Sequence, residues 1–108
     1  LFSRSISKAA PTWKIDEAVN GETALRLVDL EPYDLIFMDQ HMASTETQLL
    51  GTETVLALRE KGFKNKICGL SANDVEEAFI SAGADCFILK PIPFDRRTLE
   101  GVLARILS

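Results

Sequence analysis

Three short apolar runs in this chain each end in a single polar residue of a different kind: Leu35-Ile36-Phe37-Met38 into Asp39, Ile67-Cys68-Gly69-Leu70 into Ser71, and Cys86-Phe87-Ile88-Leu89 into Lys90. Continuous apolar runs set between helical patterns read as strands of a parallel sheet buried on both faces. In open α/β sheets function collects just outside the carboxyl ends of the strands. A carboxylate, a hydroxyl and an ammonium are therefore expected at one edge.

The remainder of the chain fits one compact domain. Its 108 residues are enough for one core and too few for two. With 46% hydrophobic and 26% charged residues, neither disorder nor a fibrous architecture is indicated. A net charge of -4 argues against general nucleic-acid binding, and Arg96-Arg97 is only a pair on a solvated helix face. No apolar stretch approaches the length of a membrane span, and the N-terminus lacks a signal-peptide pattern. Cys68 and Cys86 fall inside expected strands, where a free thiol behaves as a small hydrophobe. They read as reduced core residues of a cytosolic protein.

The elements alternate. Leu1 to about Ala10 reads as part of a helix ended by Pro11, and Trp13 to Val19 as a strand broken by Asn20-Gly21. Ala24, Leu25, Leu27, Val28 and Leu30 form a helical stripe, with Asn20 as cap and Pro32 as stop. After the Leu35 strand comes a long polar connection, Gln40 to Leu50. Val55, Leu56 and Leu58 then mark a helix that Gly62 can end in the left-handed conformation. Beyond the Ile67 strand, Asn73 can cap a helix carrying Val75, Ala78, Phe79 and Ala82, with Gly83 past its end. A last helix from about Asp95 carries Leu99, Val102, Leu103 and Ile106. Strands alternating with short helices imply right-handed crossovers and a doubly wound parallel sheet.

The strand ends suggest acyl-phosphate chemistry: Asp39 as nucleophile, Lys90 as cation for the phosphoryl charge, Ser71 as hydrogen-bond donor. Asp39 alone could merely cap a loop, and Lys90 alone could be a solvated lysine. Together on one edge they suit one anion, and Pro91 fixes the chain behind Lys90.

Phe37-Met38-Asp39-Gln40-His41-Met42, Leu70-Ser71-Ala72 and Gly83-Ala84-Asp85-Cys86-Phe87-Ile88-Leu89-Lys90-Pro91 resemble the receiver domain of two-component response regulators. The resemblance covers almost the whole chain. It implies a flavodoxin-like α/β fold of strand order 2-1-3-4-5. Asp39 would be the phosphoacceptor, Ser71 and Phe87 the switch pair, and Lys90 the phosphoryl-binding cation supported by Pro91. Mg²⁺ would be held by Asp39 and the backbone carbonyl of His41, whose imidazole is a loop side chain. The implied partners are a histidine kinase or histidine phosphotransfer protein as donor, and an output protein reading the face made by the helix near Asp74, the Cys86 strand and the last helix. Neither nucleic acid nor membrane is bound directly, homodimerisation stays open, and the setting is cytoplasmic. Such a domain is no enzyme beyond accepting its own phosphoryl group and slowly hydrolysing it.

The pattern also departs from the family. The acidic pair that holds Mg²⁺ at the end of a first strand is not in this sequence, which starts inside the expected first helix. Residues 1–108 therefore read as a single, N-terminally truncated receiver with weakened or lost Mg²⁺ binding, whose second and third strands lack their shared neighbour. Ala43 replaces a common proline, and the connection from Ala43 to Leu50 is long, as in receivers of eukaryotic hybrid histidine kinases. The alternative function is a receiver-like interaction module independent of phosphorylation. A flavodoxin-like binder or enzyme would need a phosphate-cradling glycine loop, and no G-x-G-x-x-G or P-loop pattern occurs.

Overall fold

In the computed structural model, residues 10, 12–14, 16, 21–40, 50–90 and 96–107 are described. The chain divides into two compact units, Ala18–Lys90 and Leu1–Glu17 with Pro91–Ser108. The first unit holds helix α1 (Gly21–Leu30), strand β1 (Leu35–Asp39), helix α2 (Gly51–Glu60), strand β2 (Lys66–Ser71), helix α3 (Glu76–Ala82) and strand β3 (Cys86–Leu89). The second contributes helix α4 (Arg96–Leu107).

All three apolar runs are strands, and they form a parallel sheet in the order β1-β2-β3. Its register pairs Asp39 with Leu70 and Ser71 with Leu89, so the polar residue ending each run lies at the same edge. These are the last three strands of the expected order. Of the strand expected over Trp13 to Val19, the described residues Trp13, Lys14 and Asp16 are not in a strand. There the Trp13 N–H turns back to the Ala10 carbonyl at 3.1 Å, a turn bond rather than a ladder bond. The other positions of that strand, the expected helix before Ala10 and the Asn20 cap lie outside the described residues.

Strand alternation sends Ile36, Met38, Ile67, Gly69 and Phe87 to one face, where the helices of this unit pack. Met38, Val55, Leu58, Ile67, Phe79 and Ala84 form the buried cluster, and Ala24, Leu25 and Val28 of the α1 stripe pack against it. Leu56 is the exception within the α2 pattern: it is exposed, and the buried third position belongs to Thr54, whose hydroxyl donates to the Leu50 carbonyl at 3.0 Å. Gly62 follows α2 at φ 99° and Gly83 follows α3 at φ 121°, as their places in the sequence suggest.

The start of α3 differs from expectation. Its N-cap is Val75 rather than Asn73: the Asn73 N–H is bonded back to the Ser71 hydroxyl oxygen at 3.1 Å in the turn leaving β2, and the Glu76 N–H opening the helix is accepted by Asp74 Oδ1 at 3.4 Å. In α4, Leu99 and Leu103 are buried and Val102 and Ile106 half-buried, which is the expected stripe.

Two contacts hold the helices to the sheet. Arg59 at the end of α2 donates to the carbonyls of Gly83, Phe63 and Asn65 at 2.9, 2.8 and 2.9 Å, and to Asp85 Oδ2 at 3.0 Å. That same carboxylate oxygen accepts the Ile67 N–H at 2.9 Å, so one guanidinium joins α2 to the entries of both β2 and β3. The second contact is the Phe79 ring of α3, which lies against Gly69 so closely that a Cβ there would stand 2.5 Å from two ring carbons. Phe79 is fully buried. Gly69→Ala is therefore expected to lower stability by about 1–3 kcal/mol through overpacking. Gly101→Ala, in an α4 position with open space around it, is expected to raise stability by about 0.5–1 kcal/mol. Urea denaturation midpoints of the two variants check both signs.

Candidate functional site

The strand-end register makes the site. Asp39 closes β1 and Lys90 follows β3, and the Lys90 ammonium forms an ion pair with Asp39 Oδ1. Both side chains keep more than a third of their surface in solvent, at 39% and 38%. An ion pair this wet is a weak tie, so either partner remains open to another charge.

Ser71 ends β2 beside them and is buried, at 5% exposed. Its carbonyl accepts the Lys90 N–H at 2.8 Å, fixing the β3 exit to the β2 exit. Its hydroxyl oxygen accepts the Asn73 N–H, which leaves the hydroxyl hydrogen to donate elsewhere. Phe87 pairs in register with Gly69, on the face that Ser71 shares by alternation, and its ring centroid lies 5.7 Å from that of Phe79. Asp39, Ser71 and Lys90 thus share one edge, with Phe87 behind Ser71 on the core side. His41 and Pro91 lie outside the described residues.

Gln40 was legible only as the start of a polar connection, and it does more than that. Its N–H continues the ladder to the Leu70 carbonyl at 3.0 Å, while its own carbonyl and its side-chain Oε1 accept the N–H groups of Gly51 and Thr52, each at 2.9 Å. The first turn of α2, whose N–H groups have no partners within the helix, is thereby seated directly under the end of β1. Gly51 permits this: a Cβ there would lie 2.1 Å from the Asp39 carbonyl oxygen. The signal in the sequence was a glycine opening a helix at the far end of a connection that begins beside the carboxylate.

A carboxylate with a neighbouring ammonium and hydroxyl has the parts to act as nucleophile toward a phosphoryl group, the ammonium and hydroxyl serving its oxygens as the donor's leaving group departs. Asp39 is also a suitable oxygen ligand for a hard divalent cation. Among the described residues, no three His, Cys, Asp or Glu side chains gather into a metal-binding group.

This edge and this sheet are those of a signalling domain, and comparison with known proteins gives the family. Residues 2–102 match the response regulator receiver domain, and the chain belongs to that family. It is similar to the two-component response regulator ORR41 of Oryza sativa subsp. japonica, with 37% identity over 111 residues, 97% of this chain and 83% of the relative. The fold is that of chemotaxis protein CheY4 of Vibrio cholerae, at TM-score 0.80, 24% identity and coverage of 98% of this chain and 86% of that one. Response regulator TrrA of Thermotoga maritima superposes at TM-score 0.78 with 27% identity, again over 98% and 86%. The architecture is thus flavodoxin-like α/β. No helix among the described residues is long and apolar enough to cross a membrane.

Gln40→Leu removes the acceptor of the Thr52 N–H and is expected to cost about 1–2 kcal/mol, whereas Gln40→Glu keeps an oxygen there and most of the stability. Thermal unfolding separates the two variants, and amide hydrogen exchange at Thr52 should quicken only in the leucine variant.

Proposed function

We propose that residues 1–108 act as one cytoplasmic phosphoacceptor receiver in a histidine-aspartate phosphorelay, taking the phosphoryl group on Asp39 from a histidine kinase or histidine phosphotransfer protein. The observation that carries this reading is the Asp39–Lys90 ion pair at the carboxyl edge of a receiver-type sheet, with Ser71 beside it.

In the reaction, an oxygen of the Asp39 carboxylate forms a bond to the phosphorus of a phosphohistidine while the P–N bond breaks. The imidazole leaves with the electron pair and takes up a proton, and Asp39 becomes an acyl phosphate. About two negative charges then sit where Asp39 had one. The Lys90 ammonium, only loosely engaged beforehand, turns to a phosphoryl oxygen. Ser71 donates its hydroxyl hydrogen to another, and its displacement opens space behind it for Phe87. Pro91 supports the chain that carries Lys90.

Mg²⁺ bound by Asp39 and the His41 carbonyl would neutralise part of the phosphoryl charge. TrrA, the relative at 27% identity, was crystallised in complex with Mg²⁺ and BeF, which supports a metal role. The change in Ser71 and Phe87 biases the surface of α3 and β3 toward an output protein. Such a domain contacts protein partners, not nucleic acid or membrane, and its only chemistry is acceptance and slow loss of its own phosphoryl group.

With acetyl phosphate and excess Mg²⁺, intact-mass measurement is expected to show one phosphoryl adduct on the parent chain, formed slowly because the acidic pair that strengthens Mg²⁺ binding is not among these residues, and none on Asp39→Asn. Lys90→Met should slow its appearance by roughly 10²-fold, the scale of losing one charge-stabilising group. A folded parent that acquires no adduct would instead be a receiver-like interaction module that works without phosphate.

A further inference from the structure

The phosphoryl chemistry leaves both cysteines unused, yet the fold places them together. Cys68 of β2 and Cys86 of β3 are register partners in the parallel ladder, so their side chains leave the sheet on the same side. Neither is in a disulfide. The Cys68 thiol donates to the Gly69 carbonyl at 3.8 Å. They differ in access: Cys68 is fully buried and Cys86 half-buried.

We propose that Cys68 and Cys86 form an oxidisable dithiol, a modification site at which a peroxide closes a reversible disulfide between β2 and β3. Adjacent strands run about 4.7–4.9 Å apart. That spacing falls inside the about 4.4–6.8 Å separation of Cα atoms that a disulfide spans. Lateral neighbours in a flat ladder hold their Cβ atoms wider than the roughly 3.8 Å mean of a relaxed bridge, so the strands must draw together. A bridge closed against that resistance is readily reduced, which is the behaviour of a regulatory rather than a structural bond.

The asymmetry of the pair sets the order of events. The neighbouring Cys86 thiol and burial push Cys68 up from its ordinary range, while proximity to Cys68 lowers Cys86, which is also the half-exposed member of the pair. Cys86, the one of the two sulfurs that solvent reaches, is therefore the one that meets the oxidant. Its sulfur attacks the peroxide O–O bond, becoming a sulfenic acid and releasing the distal oxygen as water or alcohol. The Cys68 sulfur then attacks the sulfenic sulfur, losing its proton and expelling the hydroxyl as water. Two thiols and one peroxide give one disulfide, and a dithiol reductant reverses the result. The bond would sit immediately before Phe87 and three residues before Ser71, joining the two strands that carry them.

The folded chain should be treated with stepwise hydrogen peroxide, blocked with an alkylating agent and digested with an endoproteinase specific for glutamate. Cleavage after Glu60, Glu76, Glu77 and Glu100 places the cysteines in the separate peptides Lys61–Glu76 and Ala78–Glu100. The expected result is a linked pair of these peptides from monomeric protein, lighter than the reduced pair by two hydrogens and released by dithiothreitol. In Cys68→Ser, a dimedone adduct is expected at Cys86 in place of the link. Recovery of both cysteines in alkylated form, under peroxide that oxidises the urea-unfolded chain, would overturn the proposal. So would a link found only between two chains, or a Cys68→Ser variant with native circular dichroism and no dimedone adduct.

Discussion

The contact on which most of the arrangement depends is the Phe79 ring lying on Gly69. The missing side chain at Gly69 lets α3 settle onto β2, and Gly69 is the register partner of Phe87, so the same ring abuts both strands. The distance of α3 from the sheet, the burial of Phe79 and the place of the Phe87 ring are consequences of one vacancy in the side-chain pattern. Interiors pack too densely for that vacancy to be filled without moving something. Ser71 lies two residues beyond Gly69 on the same face, so the buried hydroxyl of the site is built directly against this closely packed contact.

The opposite side of the site has a different construction. Asp39 is held by backbone hydrogen bonding around Gln40: the ladder bond to Leu70, then the two bonds that seat the first turn of α2. The segment between Gln40 and Leu50 begins and ends at these fixed points. A connection clamped at its base can vary in length at little cost, because loop-closure entropy grows only slowly with residues added. The long connection and the fixed carboxylate are therefore compatible.

How far the sequence could be read follows from which signals are local. The three strands and their polar terminal residues were legible because buried parallel strands are continuous apolar runs, and because parallel register needs no further information to align their carboxyl ends. The helices α1, α2 and α4 were legible from their stripes, and the ends at Gly62 and Gly83 from glycine alone. Asn73 misled because two neighbouring residues are good caps by composition: Asp74, one residue further on, accepts the Glu76 N–H, and α3 starts later at Glu76. Gln40 and Arg59 were missed for the opposite reason. Each acts on partners distant in sequence, Thr52 for one and Gly83 and Asp85 for the other, and no periodicity marks such bonds. At the site, the resemblance of motifs indicated the roles, while the pairing of Asp39 with Lys90 is a fact of the fold.

That ion pair also has an energetic logic for a switch. Were it buried, separating Lys90 from Asp39 would strand a charge at a cost of several kcal/mol, and the resting arrangement would resist change. With more than a third of each side chain in water, the pair contributes about 0–1 kcal/mol. Turning the ammonium to a second anion on Asp39, as the proposed phosphorylation requires, would therefore cost little. On the other side of the site Ser71 is buried and Phe87 abuts Phe79. A loosely held cation on one side and a closely packed aromatic pair on the other are the parts through which the proposed phosphorylation would be expressed as a repacking.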